Sequence, residues 1–333
     1  MTEGRTIGRD GRLTSALGIG TWAIGGPWTF DGRPAGWGEV DDEVSIRMVH
    51  AAVDGGVRLF DTADCYGTGT SERALGRALA QLPAGVRDEV VVATKFGNVF
   101  DEATRSGGGK NVTPEYIRAA CRASLNRLGI EAIDLYQLHG GVGTAAAAEP
   151  VIEVLEDLVG EGLIKAFGTS VDDPAVVTAF AKSPYARSVQ TQVNVFGYRS
   201  DTLDAARESG LAVLARSPLA MGLLTGKYEV STRPPVGDVR RDTPWWTYFD
   251  DDAMADWLKR LDSVRELLTT GGRSLTQGAL AYLWALDPAI IPLPGARTPE
   301  QAAEHAGALD QGPLPEATRQ EIDALMADSP ERL

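Results

Sequence analysis

The sequence predicts an α/β protein of the (β/α)₈ TIM barrel type, and three observations support this fold class. Short apolar segments alternate with helix-like segments along almost all of the 333 residues. Eight such apolar segments can be counted, and nearly every one is followed by a segment with helical periodicity. No change of composition divides the chain, so we expect a single domain over residues 1–333. An open doubly wound sheet is the alternative, but no GxGxxG turn follows the first predicted strand.

The chain begins with a hairpin signal and then enters the alternating region. Asp10-Gly11, within Thr6–Leu13, lies between two short β-prone segments and predicts a β-hairpin. The strands that follow are short, apolar and bounded by polar or glycine residues. The predicted strands are Ala16–Trp22, Val57–Asp61, Glu89–Lys95, Ala132–His139, Ile164–Ser170, Val189–Asn194, Leu211–Ser217 and Ala289–Leu293.

The helical segments have apolar residues at three- and four-residue spacing and recognisable end signals. Thr113-Pro114 is a typical helix start and Gly129 a typical stop, and Ser71 is the predicted N-cap of the second helix. The predicted helices are Asp41–Asp54, Ser71–Gln81, Thr113–Leu128, Ala148–Glu161, Pro174–Lys182, Asp201–Gly210, Ala253–Thr269, Ser274–Leu286 and Pro299–Leu309, with a short helix expected after Gly312. Three loops, Ala23–Val40, Gly140–Ala147 and Glu229–Asp252, are too irregular for an element.

The composition limits the classes of partner and the location. The chain is 43% hydrophobic and 23% charged, as soluble globular proteins are, and carries a formal net charge of −14. Such an acidic chain is a poor match for nucleic acid or an anionic membrane. With no apolar run of about 20 residues and no signal-peptide core at the N-terminus, we expect no membrane span and a cytoplasmic location. The two cysteines are expected to be free thiols, and no Cys/His spacing indicates a metal site.

Polar residues stand at the C-terminal ends of the predicted strands. On a parallel barrel all of them reach the same mouth. Each one alone has an ordinary explanation, as a cap, a rim charge or a core histidine. Their joint arrival at one rim, together with Tyr66 in the loop after the second strand, favours an active site. The strand-end residues are Asp61, Lys95, His139, Ser170, Gln192, Asn194, Arg216 and Ser217.

Four side chains, those of Asp61, Tyr66, Lys95 and His139, suit a reaction in which an oxygen is protonated while another group attacks the carbon. The hydroxyl of Tyr66 is a weak acid, and we expect the Lys95 ammonium to lower its pKa by about one or two units. Asp61 would keep Lys95 protonated in a dry barrel mouth. A neutral His139 could donate a hydrogen bond to a substrate oxygen. The set contains no activated serine or cysteine nucleophile.

A second site is predicted near the end of the chain, in the segment Ile291–Glu304. Gly295 allows an open backbone there, and Arg297 and Thr298 precede a helix N-terminus. Helix N-termini and arginine side chains bind phosphate. An ordinary βα turn with an exposed arginine explains the same residues equally well.

The settings FDTADCYG, ATK and LYQLH around Asp61, Tyr66, Lys95 and His139 resemble the catalytic tetrad of the aldo-keto reductases. The likeness extends over nearly the whole chain, from GIGTW to PGARTPEQ. The resemblance implies a (β/α)₈ barrel with the N-terminal β-hairpin across its bottom and long loops at the C-terminal face. It also implies reduction of a small-molecule aldehyde or ketone by NADPH. Tyr66 would be the general acid, tuned by Lys95 and Asp61, and His139 would orient the carbonyl.

The same resemblance implies how NADPH would lie along the rim. Ser170, Gln192 and Asn194 would hold the carboxamide, SPLAMGLLTGK would cover the pyrophosphate, and Arg297 would contact the 2′-phosphate. The implied cofactor-binding residues are Gly20, Thr21, Trp22, Asp61, Ser170, Gln192, Arg216, Ser217, Leu219, Gly222, Leu224, Lys227, Gly295, Arg297, Gln301, Glu304 and His305. The implied substrate pocket is formed by Trp22, Trp28, Tyr66, His139, Trp245 and Trp246.

Three positions depart from the pattern of the family. Val171 stands where many members have Asn, which puts one carboxamide contact in doubt. Arg216 stands where many have an aromatic ring stacked on the nicotinamide, although a planar guanidinium can also stack. His305 stands where Asn is common near the adenine.

Two other functions stay open at this point. The chain could be an NADPH-binding regulatory subunit with slow turnover, since such subunits keep the tetrad. With a tightly held cofactor, the same site could also run an internal redox cycle that gives epimerisation or elimination. The sequence does not name the substrate or the oligomeric state, although the tryptophans of the long loops weakly suggest a flat or sugar-like ligand.

Overall fold

The structure is a computed structural model that describes residues 4–8, 11–241, 243–250 and 252–332. Its centre is a sheet of eight parallel strands in which chain neighbours are also sheet neighbours. The strands are β1 Gly18–Gly20, β2 Leu59–Asp61, β3 Val91–Phe96, β4 Leu135–His139, β5 Phe167–Ser170, β6 Ala186–Gln192, β7 Ala212–Arg216 and β8 Ile290–Pro292. Each predicted strand overlaps one of them.

The sheet closes on itself between its first strand and the segment after its last. The backbone N–H of Gly20 donates to the carbonyl of Pro294 at 3.0 Å, and Gly20 forms a parallel bridge with Gly295. This closure confirms the predicted (β/α)₈ barrel. The C-terminal ends of all the strands therefore meet at one mouth.

Helices cover the outside of the barrel and pack their apolar faces against it. They are α1 Asp42–Asp54, α2 Thr70–Ala80, α3 Ala84–Arg87, α4 Pro114–Leu128, α5 Ala145–Gly160, α6 Pro174–Ala181, α7 Ser200–Ser209, α8 Met254–Leu268, α9 Leu275–Leu286, α10 Pro299–Gln311 and α11 Glu316–Leu325. Across the described ranges, none of these helices is long and apolar enough to cross a bilayer.

The predicted N-cap of α2 is wrong. The helix begins at Thr70 with Gly69 at the N-cap, so Ser71 lies inside it. The Ser71 hydroxyl is fully buried and donates to the carbonyl of Thr21 at 2.8 Å, close also to the Thr21 hydroxyl. It therefore ties α2 to the end of β1 instead of capping its own helix.

The N-terminal hairpin crosses the bottom of the barrel. Arg5–Thr6 pairs antiparallel with Leu13–Thr14, while Asp10 of the predicted turn lies outside the described residues. Ile7, between the two strands, is only 3% exposed and belongs to an apolar cluster inside the barrel. That cluster includes Leu59 and Val91, the first residues of β2 and β3, so the hairpin closes the end opposite the mouth.

Sequence patterns missed a small sheet above the mouth. Its four strands are Thr29–Phe30, Arg33–Pro34, Asn98–Asp101 and Ser106–Lys110. A 3₁₀ helix, Trp22–Ile24, and the short α3 were missed as well. The small sheet joins the loop after β1 to the loop after β3. Its strands are so short that neither loop shows the alternation of apolar and polar residues by which a strand is recognised in a sequence.

Candidate active site

The structure brings Asp61, Tyr66, Lys95 and His139 together at the mouth of the barrel. Asp61 and His139 are the last residues of β2 and β4, Lys95 lies near the end of β3, and Tyr66 follows β2 in a loop. Asp61, Tyr66 and His139 line a cavity of about 1670 Å³. Lys95 is fully buried behind the Tyr66 ring.

Lys95 connects the members of this group. Its Nζ donates to Asp61 Oδ2 at 2.5 Å, to the Thr62 carbonyl at 2.8 Å and to Tyr66 Oη at 3.2 Å. Burial lowers the pKa of Lys95, but Asp61 and Tyr66 together raise it above its usual value. The ammonium therefore stays charged, as the sequence predicted.

Asp61 is held by two buried amides that the sequence analysis did not identify. Its Oδ1 accepts from Gln137 Nε2 at 3.0 Å and from Gln190 Nε2 at 2.8 Å. Both glutamines are fully or almost fully buried. In the sequence, each glutamine stands at an inward-facing position of its strand, in LYQLH and in SVQTQV. A buried amide needs a hydrogen-bond partner, so these two positions could have been identified as polar contacts inside the barrel.

The Tyr66 hydroxyl remains protonated throughout the neutral pH range. Burial raises the pKa of Tyr66 to about 12, Lys95 acts to lower it, and Asp61 raises it again. The predicted lowering of this pKa is therefore wrong, because desolvation of the phenolate outweighs a cation already neutralised by Asp61. The ring is fixed between Trp22, which stacks on it at 5.6 Å, and His139, which lies perpendicular at 5.7 Å.

His139 is a neutral imidazole. Burial lowers its pKa well below the usual value, and Lys95, Lys110 and Arg216 lower it further. Its Nδ1 lies 3.6 Å from the Sγ of Cys65. The opposite ring nitrogen, Nε2, is therefore the one available to a ligand in the cavity.

The predicted substrate-pocket residues, Trp22, Trp28, Tyr66, His139, Trp245 and Trp246, all line the same cavity. Trp22 is central among the aromatic rings, with Trp37 at 5.7 Å and Trp246 at 6.3 Å. Trp37 is a cavity residue that the predicted pocket did not include.

Most of the predicted cofactor residues also line the cavity, which reaches from the tetrad to the segment after β8. Two predicted residues do not: the Thr21 hydroxyl donates to the Asp61 carbonyl at 3.1 Å, and Leu224 is fully buried in the core. Those on the cavity wall are Gly20, Trp22, Asp61, Ser170, Gln192, Arg216, Ser217, Leu219, Gly222, Lys227, Gly295, Arg297, Gln301, Glu304 and His305.

The middle of the cavity has a backbone suited to an anion. Ser217 and Met221, which line the cavity, have φ angles of 51° and 55°, in the left-handed region that non-glycine residues rarely adopt. Ala220, with a φ of 47°, is fully buried, and its N–H donates to the Ser217 carbonyl, which holds the turn. Successive N–H groups in such turns form concave anion sites. The N-terminus of α10, marked by Thr298, adds a second phosphate-compatible feature on the same wall.

The far end of the cavity has an unused acceptor. His305 is almost fully buried, and its Nε2 lies 3.2 Å from the Gly295 carbonyl. Its Nδ1 has no hydrogen-bond partner among the residues that the structure describes. The cavity also exceeds the range of about 300–1,000 Å³ that is usual for drug-sized ligands. These features fit a long ligand with phosphates and a hydrogen-bonding base, as a nicotinamide dinucleotide is.

Arg297 is engaged with the loop after β1. Its Nη1 donates to the Trp37 carbonyl and its Nη2 to the Glu39 carbonyl, each at 2.6 Å. The same loop is held from the other side by a bridge between Trp37 and Asp238 and by Arg240, whose guanidinium lies 4.7 Å from the Trp37 ring. Arg297 has five N–H donors, so it retains donors for a phosphate. Its contact with a 2′-phosphate stays a prediction.

Arg216 forms an ion pair that the sequence analysis did not foresee. Its partner is Asp172, which also accepts from the Thr191 hydroxyl at 2.6 Å. Asp172 follows Val171, one of the positions that depart from the family pattern. Arg216 still lines the cavity, beside Ser170 and Gln192.

Comparison with known proteins agrees with this architecture. The family model described as the aldo/keto reductase family matches residues 16–327. An NADH-specific methylglyoxal reductase of Escherichia coli (strain K12) is 32% identical over 316 residues, which are 91% of this chain and 92% of the relative. An aldo-keto reductase of Schizosaccharomyces pombe named for NADP(+) is 30% identical, over 96% of this chain and 89% of its own. The solved structure of the glycerol dehydrogenase AKR11B4 from Gluconobacter oxydans superposes with a TM-score of 0.82 at 32% identity, covering 99% of this chain and 96% of that one.

Proposed function

The chain belongs to the aldo/keto reductase family, and from that premise we propose that it reduces an aldehyde or ketone to an alcohol. The hydride comes from NADPH and the proton from Tyr66. One observation carries the proposal: a single buried ammonium, Lys95, contacts both Asp61 and Tyr66 Oη beside a neutral His139. We also propose that the chain acts as one domain, on a small carbonyl compound, in the cytoplasm.

In the proposed mechanism, each of the four residues Asp61, Tyr66, Lys95 and His139 has a separate role. NADPH, when bound, supplies the hydride. The neutral imidazole of His139 donates a hydrogen bond to the substrate oxygen and fixes its position. Tyr66 gives its proton to that oxygen as negative charge develops there. Lys95 stabilises the phenolate that remains, and Asp61 keeps Lys95 charged.

The direct test follows NADPH consumption by absorbance with a panel of aldehydes and ketones, together with identification of the products. We expect an alcohol and one NADPH consumed per carbonyl reduced. NADPH binding without turnover on any carbonyl would favour the regulatory-subunit alternative. An isomer or elimination product formed without net NADPH consumption would favour the internal redox alternative.

We propose NADPH, and not NADH, because three cations converge at the adenosine end of the cavity. Burial lowers the pKa of Lys227, and Arg240 and Arg297 lower it further, whereas Asp238 and Glu304 act to raise it, so all of these charges lie close enough to interact. Arg240 is paired with Asp238, so Lys227 and Arg297 are the cations on the cavity wall that we assign to the phosphates of NADPH. The relatives differ in this respect, since one is named NADH-specific and another is named for NADP(+).

The first test of cofactor choice is Arg297→Ala. A charge-assisted hydrogen bond contributes about 1.5–3 kcal/mol, so we expect NADPH affinity to fall by about 10- to 150-fold. NADH, which lacks the 2′-phosphate, should bind nearly as before. Fluorescence titration with both cofactors measures the difference.

Arg297 also holds the Trp37 and Glu39 carbonyls, so a control must separate charge from loop anchoring. Arg297→Lys keeps the charge but cannot donate to both carbonyls in the same geometry. We expect this variant to retain most of the NADPH preference. Equal weakening of NADPH and NADH in Arg297→Ala would contradict the 2′-phosphate assignment and show that the residue acts through the loop.

A second variant tests whether Arg216 lies against the nicotinamide. Arg216→Tyr should keep measurable reductase activity, because an aromatic ring restores a stacking surface. The ion pair with Asp172 is partly exposed, so its loss should change the free energy of unfolding by at most about 1 kcal/mol. Asp172→Asn, which keeps the guanidinium, is the matched control and should bind cofactor normally. Complete loss of cofactor binding in Arg216→Tyr would instead mean that Arg216 contacts phosphate.

A further inference from the structure

We propose that Glu331, close to the C-terminus, is a positioning residue for the cofactor site. It holds the side-chain amide of Gln192 so that the amide oxygen faces the cavity and accepts a hydrogen bond from the carboxamide NH₂ of the nicotinamide. The inference rests on the proposed function, because it concerns how the same cavity recognises a nicotinamide dinucleotide.

The contact between the two residues fixes the orientation of the amide. Gln192 is the last residue of β6 and lines the cavity. Its Nε2 donates to Glu331 Oε2 at 2.8 Å and lies 3.3 Å from Tyr248 Oη. Tyr248 Oη donates to the same Glu331 oxygen. Burial raises the pKa of Glu331, while hydrogen bonds from Tyr248, Asn194 and Gln192 act to lower it. The ionised carboxylate only accepts hydrogen bonds, so it orients the NH₂ group of Gln192 toward Glu331 and the amide oxygen away from it.

The backbone around Glu331 is anchored independently of Gln192. The neighbouring Arg332 donates to Tyr282 Oη at 2.9 Å and to Asp323 Oδ1 at 2.8 Å. The backbone of Glu331 also packs on Gly197, where an added Cβ would lie 2.1 Å from the Glu331 carbonyl group. Glu331 is thus seated against the loop after β6, with Arg332 held beside it, and Glu331 contacts Gln192 on the side away from the cavity.

The side-chain amide of Asn194, two residues after the end of β6, is hydrogen-bonded within the protein at both its oxygen and its nitrogen. Asn194 is buried, and its Oδ1 accepts from the backbone N–H of Phe196 at 2.9 Å. Its Nδ2 lies 3.2 Å from Tyr248 Oη and 3.4 Å from the Ser217 carbonyl. Within the described residues no group donates to Gln192 Oε1, so this oxygen is the acceptor left for a ligand.

An acceptor at this point selects ligands that present a donor. The carboxamide of nicotinamide has an NH₂ group, whereas the 3-acetylpyridine analogue has a methyl group in its place. A buried acceptor facing a methyl group loses its hydrogen bond and stays desolvated. The wild-type protein should therefore bind NADPH more tightly than the reduced 3-acetylpyridine analogue, by about five- to tenfold.

The experiment compares the affinities of these two dinucleotides for the wild type and for Glu331→Gln by fluorescence titration. A glutamine can donate as well as accept, so Gln192 loses its fixed orientation and the discrimination should fall to about twofold or less. Affinity for 2′-phospho-ADP-ribose, which lacks the nicotinamide, should not change. Glu316→Gln, which neutralises an exposed carboxylate in α11, is the matched control and should discriminate as the wild type does.

A double-variant cycle keeps the inference falsifiable if Glu331→Gln is less stable. Gln192→Leu alone should abolish the discrimination, and adding Glu331→Gln to it should not lower NADPH affinity further, because the amide that Glu331 positions is already gone. Unchanged discrimination in Glu331→Gln, or equal weakening of 2′-phospho-ADP-ribose, would overturn the inference while leaving the proposed function intact. Failure of the wild type to bind either dinucleotide would overturn both.

Discussion

Tyr66→Phe is expected to lose at least about 10²–10⁴-fold in kcat and to keep its affinity for NADPH. The hydroxyl is the proposed proton donor, and removing it leaves the developing alkoxide without its acid. The phenylalanine ring can keep the packing on Trp22 and His139, and Lys95 retains its contacts with Asp61 and the Thr62 carbonyl. Single-turnover kinetics and cofactor fluorescence titration measure the two quantities separately.

Tyr136→Phe is the matched control for this substitution. Tyr136 is fully buried, its ring packs 4.6 Å from Phe96, and its hydroxyl has no hydrogen-bond partner in the described part of the chain. Removing that hydroxyl should leave both kcat and cofactor affinity unchanged. Near-normal turnover of Tyr66→Phe would contradict the proposed mechanism, because the mechanism assigns the proton to Tyr66 and to no other group on the cavity wall.

Tyr66 should also make the reduction insensitive to pH over the neutral range. Its pKa of about 12 lies above the ordinary value for tyrosine, so the phenol is protonated below that pH and is lost as a donor only as the pH rises toward it. Burial is the dominant cause, and burial depends on how the loops pack. A sequence alone shows Lys95 and Asp61 near Tyr66 but not the desolvation that outweighs the cation.

The barrel itself could be predicted because its signal is local and repeated. Each βα step carries its own apolar strand and amphipathic helix, and every predicted strand overlaps an observed one. The location of the tetrad could be predicted for the same reason, since the parallel topology alone brings the ends of β2, β3 and β4 to one rim. Errors in the barrel's own strands and main helices were limited to their ends, such as Ser71, whose hydroxyl donates to the Thr21 carbonyl after β1 instead of capping its own helix. The small sheet above the mouth, the 3₁₀ helix Trp22–Ile24 and the short α3 were missed.

Contacts between distant segments could not be predicted. Glu331 meets Gln192 across 139 positions, and Gln190 meets Asp61 across 129. The engagement of Arg297 by carbonyls of the loop after β1 is of the same kind. A side chain's partner in such cases is set by tertiary packing, so residue type and spacing give its chemistry but not its geometry.

Lys95→Met is expected to be similarly slow in kcat and, unlike Tyr66→Phe, also less stable. It removes the cation that stabilises the Tyr66 phenolate and leaves Asp61 as a buried charge that, among the described residues, only Gln137 and Gln190 support. Breaking a buried ion pair from one side costs about 3–5 kcal/mol in the free energy of unfolding. Chemical denaturation and single-turnover kinetics measure the two losses.

The double variant Asp61→Asn with Lys95→Met separates chemistry from folding. It removes both buried charges, so much of the lost stability should return, because a neutral amide is far less costly to bury than an unpaired carboxylate. The rate should stay as low as in Lys95→Met, because the cation beside Tyr66 is still missing. If the rate recovers together with the stability, Lys95 serves the fold and not the proton transfer, and Tyr66 would have to act without it.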